Sequence, residues 1–292
     1  MNIRINRNEK SSYINGGVFL LLLILGISFN VFANGSFQPE DLGSQLIRHY
    51  QLDGDAVDQT TAEAHGVISG ATGTTDFKNI ADSAMGFDGN DDVITVPSIG
   101  NWGGELSLSF WVYFDADNDE SSKVIIGSRD DGLGATLMNF YVSLNDQRQM
   151  RWFIASDTSP SNLQSTDSFP VNEWVYVTVD WSDVTELMNI YWNGALVATG
   201  QIGDGAPRYR GDKIGLGSFC SGCGGSPLFL GGKIDELRIY DRTLLQEEIN
   251  ELAGVTATYH FSGNVNDSSG NLRDGENFGA ALTEDAYGNV DA

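Results

Sequence analysis

Two stretches of strict two-residue alternation constrain this chain more than any other feature. Leu106, Leu108, Phe110, Val112 and Phe114 alternate with Ser107, Ser109, Trp111 and Tyr113. Val175, Val177, Val179 and Trp181 alternate with Trp174, Tyr176, Thr178 and Asp180. Successive side chains of an extended chain point to opposite faces, so a period of two held this long argues for strands and against a helix. Apolar groups occur in both phases, which places these strands inside a two-layer packing. Met188, Ile190 and Trp192 lead into Asn193-Gly194, and Ala195 to Thr199 follow. Asn-Gly tolerates the positive φ that a tight hairpin needs at both central positions. Gly, Asp and Asn turns separate the other short runs, so the pattern predicts an all-β sandwich or barrel. One helix is expected, at Leu244 to Leu252, with Thr243 as its cap, Gln246 at the capping-box position and Gly254 as its stop.

The first residues stand apart from this pattern. Arg4, Arg7 and Lys10 precede an apolar run from Val18 to Ile27, and Val31-Phe32-Ala33 offers an imperfect small-x-small cleavage site. Such a run falls well short of the ~20 residues that span a bilayer, so residues 1–33 read as a cleaved secretory leader. Residues 34–46 read as a linker. Removing the leader takes three cations and one anion from 16 Lys+Arg and 40 Asp+Glu, which leaves a formal charge of −26. That surface repels nucleic acid and anionic lipid, and it suits divalent cations. Membrane insertion after cleavage is not expected. The cysteines are Cys220 and Cys223, in a Gly-rich loop. In an exported chain this pair is expected to form a small disulfide. Zinc would need further ligands, and His49, His65 and His260 have no finger spacing.

A gapless shift of 209 residues aligns Tyr50 with Tyr259, Gly54 with Gly263, Asp58 with Asp267 and Gly66 with Gly275. It also aligns Gly70 with Gly279, Ala71 with Ala280, Thr74 with Thr283 and Asp76 with Asp285. Residues 254–292 therefore read as the truncated first strands of a second copy, with the chain a piece of a longer tandem array. The first copy is expected over 47–253.

Several segments, taken in order, resemble the laminin-G-like, concanavalin A-like family of bacterial secreted proteins. They are Tyr50 to Gly54 with Asp58 and His65-Gly66, Met85 to Val96, Leu106 to Phe114 with Trp111, Glu173 to Val179, Ile190 to Gly194, and Gly232 to Arg242. The resemblance covers 47–253 and implies a two-sheet antiparallel jelly-roll sandwich. It does not specify function, since this sandwich serves lectin, adhesion and enzyme-accessory roles alike.

Asp235 shares a face with Leu237 and Ile239 in extended geometry, and a carboxylate facing the core needs a partner. The resemblance implies a structural Ca2+ where the first and last strands meet, with Asp235, Asp58 and Asp53 as its candidate ligands. The alternative is a carboxylate held by backbone N–H groups at a strand bulge. Against Asp53, the second copy has Ser262 at its place. Asp88 to Asp92 lacks the spacing of an EF-hand and reads as a tight acidic turn. Trp111, Trp174 and Trp192 lie on strands and are expected in the core. Trp102, Tyr209 and Arg210 lie in loops and are the candidates for a ligand-binding rim. No segment has the Glu-x-Asp-x-x-Glu spacing that related glycosidases use, nor a nucleophile elbow, a His-Glu-x-x-His or a phosphate loop. The expectation is an exported, non-catalytic recognition or adhesion module, secreted or at the cell surface. Its expected partner is a glycan or an extracellular protein. The alternatives are a targeting module of a larger secreted enzyme and a structural spacer array.

Overall fold

A computed structural model of the chain describes residues 42–116, 122–129, 138–156, 158–207, 213–219 and 228–255, with 257, 259, 265 and 275–278 beyond them. The expected leader, most of the expected linker, both cysteines, Tyr209 and Arg210 lie outside the described residues.

The strands are β1 Leu46–Tyr50, β2 Val67–Ser69, β3 Thr72–Thr74, β4 Ala84–Asp88, β5 Val93–Pro97, β6 Glu105–Phe114, β7 Lys123–Arg129 and β8 Met138–Leu144. They continue as β9 Gln149–Ile154, β10 Ser161–Ser168, β11 Trp174–Ser182, β12 Leu187–Trp192, β13 Ala195–Gln201, β14 Lys213–Leu216 and β15 Gly231–Tyr240, and the helix α1 is Gln246–Leu252. One sheet runs β13-β12-β11-β6-β15-β4-β3, with β1 also paired to β15. The other runs β10-β9-β8-β7-β14-β5-β2, and every pairing is antiparallel. The architecture is the expected two-sheet sandwich.

The alternation explains the core. Leu106, Leu108, Phe110, Val112 and Phe114 on β6, and Val175, Val177 and Val179 on β11, bury one face of the first sheet against Trp152, Phe140, Val142 and Ile154 of the second. Each such side chain contributes about 1.5–3 kcal/mol when fully removed from water. The opposite phase is buried too: Ser107, Ser109, Tyr176, Thr178 and Asp180 are all covered. The chain after β15 folds back over this outer face. Tyr240, Leu244 and Ile249 form a second cluster there with Leu46, Tyr191 and Leu252, and the Leu244 N–H donates to Ser107 Oγ at 3.2 Å. Strands apolar in both phases thus reflect a sheet covered on both sides. The Asn193-Gly194 hairpin has the expected positive φ at both residues, 49° and 85°.

The helix starts two residues later than expected and is capped differently. Glu248 accepts the Leu245 N–H at 2.8 Å, while both its oxygens accept from the Arg242 guanidinium at 2.7 and 2.8 Å. Gln246 instead donates to the Gly194 carbonyl at 2.7 Å. Arg242 also donates through Nε to the Ser44 carbonyl at 3.1 Å, so this buried ion pair joins the helix, the last strand and the approach to β1.

Strand β15 carries a bulge that overturns the face assigned to Asp235. Asp235 pairs with Trp111, and the register shifts before Arg238 pairs with Ser109. Glu236, at φ 51°, is the extra residue. A bulge moves the residues on one side of it by one place relative to the pleat. Leu237 and Ile239 face the core, whereas Asp235 lies on the outer face beside Trp111. Trp111 is itself half-buried rather than a core residue, stacked under Phe77 with ring centroids 4.2 Å apart. Trp174 is half-buried with its ring edge against Tyr113, and Trp192 packs at the margin of the core. The most deeply buried indoles belong to Trp152 and Trp181.

Candidate functional site

Three loops meet at one end of the sandwich and enclose a cleft of about 670 Å³. They are residues 102–104 before β6, the turn 183–186 between β11 and β12, and 201–207 after β13. Trp181, at the end of β11, forms part of the lining, and its indole N–H donates to Ser161 Oγ at 3.1 Å. The walls are fastened by backbone bonds: Asp183 N–H to the Gly104 carbonyl at 2.8 Å, and Ile202 N–H to the Glu186 carbonyl at 3.1 Å. Glycine is required where those walls touch. A Cβ at Gly104 would collide with Asp183 Oδ1, and one at Gly203 with the Ser159 carbonyl. The cleft is therefore preformed, with Asp183, Glu186, Asp204 and Gln201 offering polar groups along it.

Trp102, expected at an exposed rim, lines this cleft but is only 4% exposed and packs edge-on to Phe140 at 5.9 Å. The loop that carries it closes over the end of the core, so its ring serves as wall rather than as an open stacking platform. Tyr209 and Arg210 follow shortly after the lining residue Pro207 in sequence.

A second constellation lies beneath residues 75–82 on the outer face of the first sheet. Asp235 is 2% exposed, and its Oδ1 has no hydrogen-bond partner among the described residues. Burial, then the neighbouring charges of Glu236, Asp76 and Asp53, push its pKa up to about 8. Asp53 is raised in the same way, by burial and then by Glu236, Asp55 and Asp76. Asp76 is buried and accepts the N–H groups of Lys78 at 2.9 Å and Ile80 at 2.6 Å. For Glu236, burial opposes ionisation, yet His49 Nε2 at 2.8 Å and Arg238 at 2.9 Å outweigh it and hold the carboxyl below its ordinary range.

The structure thus brings Asp53 and Asp235 into one electrostatic group and adds Asp76, which sequence reasoning left out. A signal was present, since Asp76 recurs as Asp285 in the repeat. Asp58 is engaged elsewhere. Its oxygens accept the N–H groups of His49 at 3.2 Å, Thr60 at 3.0 Å and Ala64 at 3.1 Å, and the Thr60 hydroxyl at 2.9 Å. Burial would raise its pKa, but these donors outweigh it and lower it. Asp58 is thus a carboxylate held by backbone N–H groups, while Asp235, at the bulge, has a backbone hydrogen bond from Glu236 that opposes the rise of its pKa. Divalent cations take six to eight oxygen ligands, but among the described residues only Asp88, Asp91 and Asp92 bring three carboxylate oxygens within 4.8 Å of one another, so Asp235, Asp53 and Asp76 share an electrostatic environment without forming a common ligand set. Lys78, whose charge acts on Asp53 and Glu236, is the cation the chain itself brings nearby.

The Asp88–Asp92 turn keeps its carboxylates within 4.8 Å of one another. Two of them are engaged in the turn: Asp88 accepts from the Asn90 N–H at 2.8 Å, and Asp92 accepts the Asp88 N–H at 2.8 Å. No helix among the described residues is long and apolar enough to cross a membrane.

No curated protein sequence matches the chain. Solved structures of similar fold include the receptor-binding domain of botulinum neurotoxin C/D mosaic serotype, at 19% identity and a TM-score of 0.57 over 78% of this chain and 55% of that one. The botulinum neurotoxin serotype D ligand-binding domain, solved with N-acetylneuraminic acid, matches at 19% identity and 0.57 over 78% and 54%. The chain spans about half the length of these toxin fragments. Domain 4 of AbnA, an extracellular GH43 arabinanase from Geobacillus stearothermophilus solved with arabinotriose, matches at 20% identity and 0.55, over 72% of this chain and 98% of that domain. These likenesses establish the fold. The model of the concanavalin A-like lectin/glucanases superfamily matches residues 88–250, more than half of the sequence, and the chain belongs to that family.

Proposed function

We propose that the chain is an exported, non-catalytic recognition module that binds a glycan in the cleft between Trp102, Trp181 and the 201–207 loop. The observation that carries this reading is the cleft itself. It is large enough for one or two sugar rings, fixed by backbone bonds and tight glycine contacts, and lined by acceptors suited to hydroxyl groups. The ligands named for two of the structural neighbours, N-acetylneuraminic acid and arabinotriose, are both sugars, which supports the ligand class. The test is a glycan array with the native chain and with Ala206→Trp, which adds bulk at an exposed residue of the cleft lining. Binding that is lost in the variant, at an unchanged unfolding midpoint, supports the reading. Binding that survives places the ligand elsewhere.

A second reading, the targeting module of a larger secreted enzyme, is favoured by one observation: the match spans nearly all of an accessory domain of an extracellular arabinanase. We propose in addition that Ca2+ binding draws Asp235, Asp53 and Asp76 together and stabilises the module under residues 75–82. The repeat has its own support. The Gly66 N–H donates to the Ala56 carbonyl at 2.7 Å, and the Gly275 N–H donates to the Val265 carbonyl, also at 2.7 Å, at the same shift of 209 residues.

A further inference from the structure

We infer that the cleft selects glycans without negative charge and rejects their sialylated, uronate or sulfated counterparts. The inference rests on the glycan reading above and concerns which sugars that site admits. The lining holds three carboxylates, Asp183, Glu186 and Asp204, and no Lys, Arg or His among the described residues. All three are exposed at the mouth of the cleft, and among the described residues no side chain pairs with them. The Asp204 carbonyl is already occupied, accepting the Ser156 hydroxyl at 2.9 Å, the Ser159 N–H at 3.1 Å and the Thr158 hydroxyl.

An ionised carboxylate only accepts hydrogen bonds. The groups it satisfies are hydroxyl, amide N–H and ammonium, all of which a neutral or amino sugar supplies. A ligand carboxylate or sulfate brings further acceptors and like charge. It enters a concave site whose walls focus the field of the three acids, on a chain whose formal net charge is −24. Unpaired like charge is a means of rejecting one ligand among close relatives.

The test uses matched pairs on one array: a galactose-terminated glycan with and without its sialic acid cap, and a xylo-oligosaccharide with and without glucuronyl branches. Both are read for the native chain and for the triple variant Asp183→Asn, Glu186→Gln, Asp204→Asn. The amides keep an acceptor at each position and remove the charge. The expected result is at least about a tenfold preference for the uncharged member in the native chain, falling to about twofold in the variant whatever its overall affinity. The preference should also shrink as salt rises from 20 to 500 mM, since exposed charges are screened. A native preference for the charged member, lost on Arg208→Gln and Arg210→Gln, overturns the inference and leaves the glycan reading intact. No binding to any member overturns both.

Discussion

Asp180 offers a sharp test of how the outer face of the first sheet is built. Its side chain lies on β11, 3% exposed, and accepts one hydrogen bond from Asn189 Nδ2 at 2.8 Å. Burial raises its pKa to about 6, with the charge of Glu105 adding to the rise and Asn189 opposing it. Between the ordinary pKa of 3.8 and about 6, the folded state holds a proton that the unfolded state has lost. Stability from this group is therefore complete below pH 3.8 and disappears as pH rises through 6. The shift of about two pH units is worth about 3 kcal/mol. Asp180→Asn removes the titration and keeps an acceptor for Asn189. It adds an amide donor without an assigned partner, which costs about 1 kcal/mol at every pH. Urea unfolding of both proteins from pH 3.5 to 7.5 isolates the effect, because the constant cost cancels in the slope. The variant should gain about 3 kcal/mol on the native protein across that range, most of it between pH 4 and 6. A difference that stays flat within 0.5 kcal/mol would refute the reasoning, and would mean that water reaches Asp180 through the helix side of the sheet.

Three further outcomes follow from the same geometry. Thermal unfolding in Ca2+ at 100 times its dissociation constant should be more stable than in excess chelator by about 2.7 kcal/mol, and Asp235→Asn should abolish that difference; equal midpoints for the native chain would remove calcium from the account. Glu248→Ala removes the bidentate carboxylate partner of the buried Arg242 guanidinium and should cost about 3–5 kcal/mol by chemical denaturation, while replacing both residues with Met should cost much less; equal losses would show that packing rather than charge holds α1. Phe77→Ala removes the stack on Trp111, should cost about 1–2 kcal/mol, and should speed amide exchange in residues 75–82 selectively; uniform exchange across the module would show that the stack does not fasten that loop.

The strands were legible because their signals are local. The alternation along β6 and β11 and the Asn193-Gly194 turn need no distant partner to be read. What failed depended on tertiary context. The bulge at Glu236 is stabilised through His49 on β1, far away in sequence, so counting along β15 placed Asp235 on the wrong face. Thr243 looked like a cap, but Arg242 draws the Glu248 carboxylate to the helix start, and that carboxylate takes the orphan N–H first. Trp102 sits in a Gly-rich loop that would ordinarily be exposed, and only the closure of that loop over the sandwich end buries it. Of the cleft only Trp102 was singled out in the sequence, because its three loops lie about 100 residues apart from first to last.

The pairing of β1 with β15 has a mechanical consequence. Leu46 lies opposite Tyr240 and Tyr50 opposite Leu237, so the chain enters and leaves the sandwich from the same end of one antiparallel ladder. Tension applied through the two ends, once α1 has peeled away, loads that ladder rung by rung rather than all rungs together. It opens like a zip, at low force, releasing β1 while the pairs of β6 with β11 and β15 remain closed. The first rung to open lies at the cleft end of the sandwich, where the Gly103 N–H donates to Asp241 Oδ1 at 2.6 Å, so a pull on the chain ends loosens the cleft wall at the outset.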